Sequence, residues 1–178
     1  VQQYSGGTVT TLAGDGTNNP YQGGTVAASS AALGYVHGVA VSGSTVYFTG
    51  SDGKHNRVWQ LAGGNVSVIA GSSSADGGTP KFGFLDGNAV VPDTTTAILN
   101  LPTGIAVDNA GNIYFCDTRN SRVRKITGGI ISTFAGNGTD GYGGDGGQAV
   151  YAQININDTV DKDKGCVAAD SSGNIYIA

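Results

Sequence analysis

The chain repeats one short segment three times, and this repetition constrains its fold more than any other feature. Each copy ends in an Ala-Gly pair after a run rich in β-branched residues. The copies span residues 7–14, 64–71 and 129–136. A longer shared block, 38–61 and 104–126, precedes the second and third copies, and a further block begins at Gly165. Repeats of this kind indicate stacked copies of one supersecondary unit.

Each full block predicts four short antiparallel strands. In the better-preserved block, Ile105 to Val107 is small and apolar, as expected of a strand buried on both faces. Residues 108–112 have turn-forming composition, and Ile113 to Cys116 is apolar and aromatic. Arg122 to Ile126 mixes charged and apolar residues, which predicts a half-exposed strand, and Ile130 to Ala135 is β-branched. Four strands ordered from buried to exposed form one blade of a β-propeller.

Composition supports many turns between short strands. Glycine accounts for 31 of the 178 residues without a three-residue period, which excludes a collagen-like chain. The hydrophobic share is 39% and the charged share only 12%, so a disordered charged tail is excluded as well.

The better-preserved block resembles NHL repeats. The matching residues are 102–108, 111–114 and 117–126. The glycine-rich block 137–149 resembles the inter-blade loop of large extracellular and bacterial NHL proteins. The earlier block is looser, because Ser42-Gly43-Ser44 stands where the family places Asp and its turn. The resemblance implies an all-β, NHL-type β-propeller with four-stranded antiparallel blades.

We divide the chain as a single partial propeller of about three blades, fewer than the four to eight of a closed ring. The expected parts are an outer or closing strand (1–14), two blades (35–71 and 102–136), the start of a further blade (165–178) and three connectors (15–34, 72–101 and 137–164). The chain is expected to open in a fourth strand, Thr8 to Leu12, without a strand before it. By analogy with closed propellers, residues 1–14 pair with a blade near the other terminus. The chain is then part of a longer protein or an open arc whose sheet edges are covered by partners.

The charge distribution argues against nucleic acid as a partner. The net charge is −4 and the pI about 4.8, so the overall field repels phosphate. The basic residues Arg119, Arg122, Arg124 and Lys125 lie within the NHL-like motif, where we expect a solvated or salt-bridged strand face. No apolar run approaches the roughly 20 residues of a membrane span.

Three sequons and few lysines favour a secreted or cell-surface protein. The sequons begin at Asn65, Asn137 and Asn157, which are expected to carry N-linked glycans on a secretory route. Cys116 and Cys166 lie in successive blades and match no metal-binding spacing, so a disulfide and buried thiols both remain open. Secretion would favour the disulfide.

Residues with potential for metal binding are sparse. Asp140 and Asp145 form a weak calcium candidate, although their spacing does not fit an EF-hand and turn-forming Asp-Gly sequences are the commoner explanation. His37 and His55 cannot supply the three ligands of a catalytic zinc site by themselves. We therefore expect neither a cofactor nor an enzyme.

These observations favour a non-catalytic extracellular scaffold that makes protein–protein contacts, including contacts between copies of itself, as in a filament or surface appendage. Two alternatives on the same fold are a propeller enzyme of amidating-lyase or lactonase type and the ligand-sensing domain of a receptor.

Overall fold

The computed structural model describes residues 1–17, 21, 24–51, 55–71, 98–156 and 167–178. These residues form antiparallel β-sheets and three single-turn 3-10 segments, so the described fold is all-β. The strands are β1 Gln2–Ser5, β2 Thr8–Thr11, β3 Thr25–Ala27, β4 Tyr35–Ser42, β5 Thr45–Ser51, β6 Asn56–Ala62, β7 Asn65–Gly71, β8 Pro102–Val107, β9 Ile113–Asp117, β10 Arg122–Thr127, β11 Ile130–Ala135, β12 Val167–Ala169 and β13 Ile175–Ile177.

Two complete four-stranded meanders form the centre of the molecule. We call β4–β7 the first blade and β8–β11 the second blade; in each, every strand pairs with the next in sequence. The last turn of the first blade is Gly63-Gly64, with φ of 56° and 77°. Positive φ at both central residues matches the type of hairpin turn that suits the twist of the strands. Gly128-Gly129 repeats this turn in the second blade.

The two ends of the described chain are half-blades. We call β1–β2 the N-terminal hairpin and β12–β13 the C-terminal hairpin; each is a two-stranded sheet. The expectation that no strand precedes Thr8–Leu12 was wrong, because Gln2–Ser5 pairs with Thr8–Thr11. Its polar composition gives no strand pattern, but Gly6-Gly7 makes the same double-glycine turn as the blades. Pairing of residues 1–14 with a distant blade stays a prediction.

Three apolar clusters hold these units in chain order. The first lies between the N-terminal hairpin and the first blade, the second between the two blades, and the third between the second blade and the C-terminal hairpin. Each blade thus has a front face, turned toward the preceding unit, and a back face, turned toward the following one. Burial between the units supplies the main stabilisation expected of stacked repeats.

The connectors contribute to both the sheets and the clusters. Residues 15–34 were assigned as an inter-blade connector, and β3 within them pairs with β7 and widens the first sheet to five strands. Ala28, Ala31 and Leu33 then pack into the first cluster. Residues 72–97 and 157–166 of the other two connectors lie outside the described residues.

Candidate functional site

The front face of the first blade carries exposed apolar side chains on its innermost strand. Val39 and Val41 of β4 are 55% and 63% exposed. Their counterparts in the second blade are Ile105, 7% exposed, and Val107, which is half-buried. The first blade covers that pair in the second blade, whereas the unit stacked before the first blade is, among the described residues, the two-stranded N-terminal hairpin. A groove of about 440 Å³ separates Val39 and Val41 from Gln2 and Gln3 of β1.

The front face of the N-terminal hairpin is bare in the same way. Tyr4 is 74% exposed, although its counterparts Leu61 and Ile126 are 7% and 5% exposed. Val9 is also exposed, and its counterparts in β7 and β11, Val66 and Ile131, are fully buried. The hairpin therefore presents residues of core type to solvent.

The outer edge of β1 has unpaired backbone groups among the described residues. The Val1 carbonyl accepts hydrogen bonds from the amides of Leu12 (2.9 Å) and Ala13 (3.2 Å). Bonding toward β2 alternates along an antiparallel strand, so the backbone groups of Gln2 and Tyr4 point away from β2. The described residues place no strand on that side. Such an edge is a template for strand addition.

The C-terminal hairpin has a complementary bare back face. Tyr176 is 58% exposed, whereas its counterpart Tyr114 in the second blade is 4% exposed. The Tyr176 hydroxyl donates to Asp170 Oδ2 at 3.0 Å, and the amides of Ser172 and Asn174 donate to Oδ1. Hydrogen bonds to Asp170, among which the bond from the Asn174 side chain has the largest effect, lower the pKa of Asp170. The turn that presents Tyr176 is therefore ordered by its own hydrogen bonds.

The predicted basic cluster is divided among local contacts. Arg124 is fully buried, contrary to the expectation of a half-exposed strand, because its Nη1 pairs with Asp117 Oδ2 at 3.0 Å. Arg122 donates to the carbonyls of Asn120 and Asn137 at 2.8 and 2.9 Å. The Lys125 amine lies 5.3 Å from the centre of the Tyr114 ring. The fourth member, Arg119, is exposed.

Asp117 anchors the second blade internally. Its Oδ1 accepts from the Asn100 amide at 2.7 Å, and its Oδ2 also accepts from Asn120 Nδ2 at 2.8 Å. Burial raises the pKa of Asp117 to about 6, although the Arg124 charge and these hydrogen bonds oppose the rise. The group holds the loop before β8 against β9 and β10.

The remaining predicted site residues do not converge within the described ranges. Asp140 and Asp145 are exposed in one loop, and Asp140 accepts a hydrogen bond from the Ser121 hydroxyl. His37 lies in β4, and His55 is buried just before β6. No group of three or more His, Cys, Asp or Glu side chains placed to hold a metal occurs among the described residues. The calcium candidate stays a prediction.

The predicted modification sites fall in different settings. Asn65 and Asn137 are exposed, at the β6–β7 turn and after β11, and Asn157 lies outside the described residues. Cys116 is buried in the third cluster together with Val167. Cys166, the neighbour of Val167 in sequence, also lies outside the described residues. Glycosylation and the disulfide stay predictions.

Residues 99–126 match the family model of the NHL repeat. The chain therefore contains an NHL repeat in this segment, as the resemblance of its better-preserved block implied. No curated protein sequence matches it. In the described part of the chain, no helix has the length and apolar character needed to cross a bilayer.

Two solved structures from Bacteroides thetaiotaomicron are similar to the chain. An auxiliary nutrient binding protein matches with a TM-score of 0.54 and 20% identity, over 83% of this chain and 35% of that one. A structural genomics protein of unknown function matches with a TM-score of 0.44 and 20% identity, over 80% of this chain and 44% of that one. The chain thus spans less than half the length of either protein. The first match, together with the antiparallel sheets, defines a propeller-like fold.

Sequence reasoning missed the bare apolar positions. Val39, Tyr4 and Tyr176 look like core residues of an ordinary repeat, and each is apolar where its counterparts are apolar. The available signal was positional, because among the described residues Val39 faces a two-stranded hairpin, and Tyr4 and Tyr176 lie in two-stranded hairpins.

Proposed function

We propose that the protein is a non-catalytic interaction scaffold outside the cell, which works through protein–protein contacts that include contacts with its own copies. The observation that carries this proposal is the set of exposed apolar side chains whose counterparts in the complete blades are buried or half-buried. The set is Tyr4, Val9, Val39, Val41 and Tyr176.

The energetic argument follows from burial. Covering apolar surface contributes roughly 25 cal/mol per Å², so several valine and tyrosine side chains on adjoining faces favour association. The edge of β1 adds backbone hydrogen bonds, which supply both affinity and register. The blades themselves are expected to be part of a larger propeller of four-stranded blades, about three of which fall in this chain.

Two further observations support the proposed role. The exposed side chains of Asn65 and Asn137 are accessible to glycosylation, which agrees with a secreted or cell-surface location. One structural neighbour is described as an auxiliary nutrient binding protein, which agrees with a binding role.

The test is the state of the protein from its native source. We expect a particle heavier than a single chain, whose own mass is measured under denaturing conditions, and a loss of mass after enzymatic removal of N-glycans. A single glycan-free chain that forms no complex would contradict the proposal. The same preparation analysed for bound zinc and calcium would expose an enzyme, if stoichiometric metal were found.

A further inference from the structure

We propose that the junction between the two complete blades contains a binding site for a small organic cation, whose alkylammonium group lies on the ring of Tyr47. Both walls of this site belong to the complete blades, β4–β7 and β8–β11. The site is separate from the contact surfaces of the proposed scaffold, so the two proposals can fail independently.

The site is a groove between the back face of the first blade and the front face of the second blade. Among the described residues its volume is about 300 Å³, which is at the lower end of the range for small-ligand pockets. Tyr47, Gln60 and Ile69 line it from the first blade, and Ile113 and Ile126 line it from the second. An apolar lining with a few polar groups is typical of such pockets.

The second blade surrounds the equivalent tyrosine, Tyr114, with its own side chains. The Lys125 amine lies 5.3 Å from the centre of the Tyr114 ring. Phe134 meets the same ring edge to face, with centroids 5.0 Å apart. Asp108 Oδ2 accepts a hydrogen bond from the Tyr114 hydroxyl at 3.1 Å. Tyr114 therefore contacts a cation, an aromatic ring and a carboxylate within its own blade.

The first blade replaces all three of these side chains. The replacements are Gln60 for Lys125, Ile69 for Phe134 and Ser42 for Asp108. The first pair lies opposite the tyrosine across the second and third strands, and the second pair is the bulged residue of the fourth strand. Each replacement removes a charge or an aromatic ring, so space remains beside Tyr47, which is only half-buried.

The second blade also indicates which ligand suits the first. Lys125 places an ammonium group on an alkyl stem over a tyrosine ring, and this contact is favourable because the ring face is electronegative. A ligand with the same group can lie on Tyr47 and donate hydrogen bonds to the Tyr47 hydroxyl and Gln60 Oε1. No cationic side chain lines the groove among the described residues, and the net charge of −4 attracts cations.

The first test is a titration of the protein with n-butylammonium, followed by NMR, with n-butanol as the neutral control. The amides of Gly111, Gly128 and Gly129 line the groove and should show saturable shifts. Half-saturation by butylammonium should need an about tenfold lower concentration than by butanol, because only the cation makes the favourable contact with the ring. No saturable shift at these glycines, or equal affinity for butanol, would overturn the inference.

The second test transfers the second-blade residues into the groove. Gln60→Lys combined with Ile69→Phe should weaken butylammonium binding by at least about tenfold, because the ring of Tyr47 becomes covered from within. The matched control is Lys125→Gln, which makes the reverse exchange outside the groove and should leave the titration unchanged. A folded double variant that binds like the wild type, judged by unchanged circular dichroism, would overturn the inference.

A third variant tests the charge of the ligand without filling the groove. Gln60→Glu is nearly isosteric and adds a negative charge beside Tyr47, so it should tighten butylammonium binding severalfold and leave butanol binding unchanged. Unchanged or weaker binding of butylammonium would overturn the inference, even if the double variant failed to fold.

A free amine and the lysine side chain of another protein share this chemistry. Nα-acetyl-lysine methylamide that binds more tightly than butylammonium would identify a lysine side chain as the natural ligand, and binding that is no tighter would identify a free amine. Failure of all these titrations would leave the proposed scaffold role standing, because the groove contains none of the exposed side chains that support that role.

Discussion

The two complete blades share one register but fill its most buried position with different chemistry. Trp59 in the first blade and Arg124 in the second each lie on the third strand, opposite a phenylalanine of the second strand, and each is fully buried. The Trp59 ring stacks on Phe48 with centroids 5.4 Å apart, whereas Arg124 pairs with Asp117.

The difference originates at the end of the second strand. The counterpart of Asp117 in the first blade is Gly50, because these residues oppose Arg122 and Arg57 respectively. A Cβ at Gly50 would collide with the Tyr35 carbonyl oxygen, so this position cannot hold a carboxylate. Without a buried anion an arginine at position 59 would be uncompensated, and tryptophan occupies the space instead. The fold therefore requires a buried side chain at this position of the third strand. The residue there changes together with the residue at the end of the second strand, as Trp59 with Gly50 and Arg124 with Asp117.

The largest effect is expected from truncating Trp59, the buried aromatic side chain of the first blade. Trp59→Ala should lower the free energy of unfolding by about 4–5 kcal/mol, since Trp59 stacks on Phe48 and also meets Tyr21 edge to face. Denaturant unfolding of the variant measures the loss, and Trp59→Phe should recover much of it. A loss below about 1 kcal/mol would contradict the packing described.

Breaking the Arg124–Asp117 ion pair should lower the free energy of unfolding by slightly less. Asp117→Ala leaves the buried Arg124 charge without its partner and should lower the free energy of unfolding by about 3–4 kcal/mol. The double variant Asp117→Leu with Arg124→Met replaces the ion pair by apolar side chains, so that the second blade resembles the first. Its free energy of unfolding in the same denaturant experiment should be nearly that of the wild type. An equal loss in single and double variants would show that the two blades are not interchangeable in this way.

The second blade should also make stability depend on pH through Asp117. The folded-state pKa of Asp117 is raised to about 6, above its ordinary value of 3.8, so the native state binds more protons between these values. Its contribution to stability is therefore present below about pH 4 and lost as the pH rises toward 6. Thermal unfolding across this range should show the trend, and Asp117→Asn should remove it. A contribution of Asp117 to stability that increases with pH would contradict this prediction.

The smallest expected effect comes from the turn between the first two strands. Asp108 accepts bonds from the amides of Ala110 and Asn112 and from the Tyr114 hydroxyl, whereas the first blade makes this turn with Ser42-Gly43-Ser44. Asp108→Ala should lower the free energy of unfolding by about 1–2 kcal/mol, and Ser42→Ala by less than about 0.5 kcal/mol. Equal losses in paired unfolding curves would argue against a special role for the carboxylate.

The sequence was sufficient for the repeat, the strand order within a block and the NHL resemblance, because these depend on local alternation and turn residues. It was not sufficient for burial that depends on neighbours. The burial of Arg124 requires the position of Asp117, which lies on another strand. The exposure of Val39 depends on its neighbour, which among the described residues is the two-stranded N-terminal hairpin, and Gln2–Ser5 is too polar to be recognised as a strand by itself.

Hydrogen exchange of the Tyr4 amide in the native assembly tests the proposed interaction role most directly, because this amide points away from β2 at the open edge of β1, where a partner could add a strand. We expect exchange as slow as that of Leu61, its counterpart inside the first blade, and fast exchange in a variant that combines Val39→Asp with Val41→Asp and so removes exposed apolar surface from the proposed contact. Exchange of Tyr4 in the native assembly as fast as that of the exposed turn residue Gly7 would contradict it.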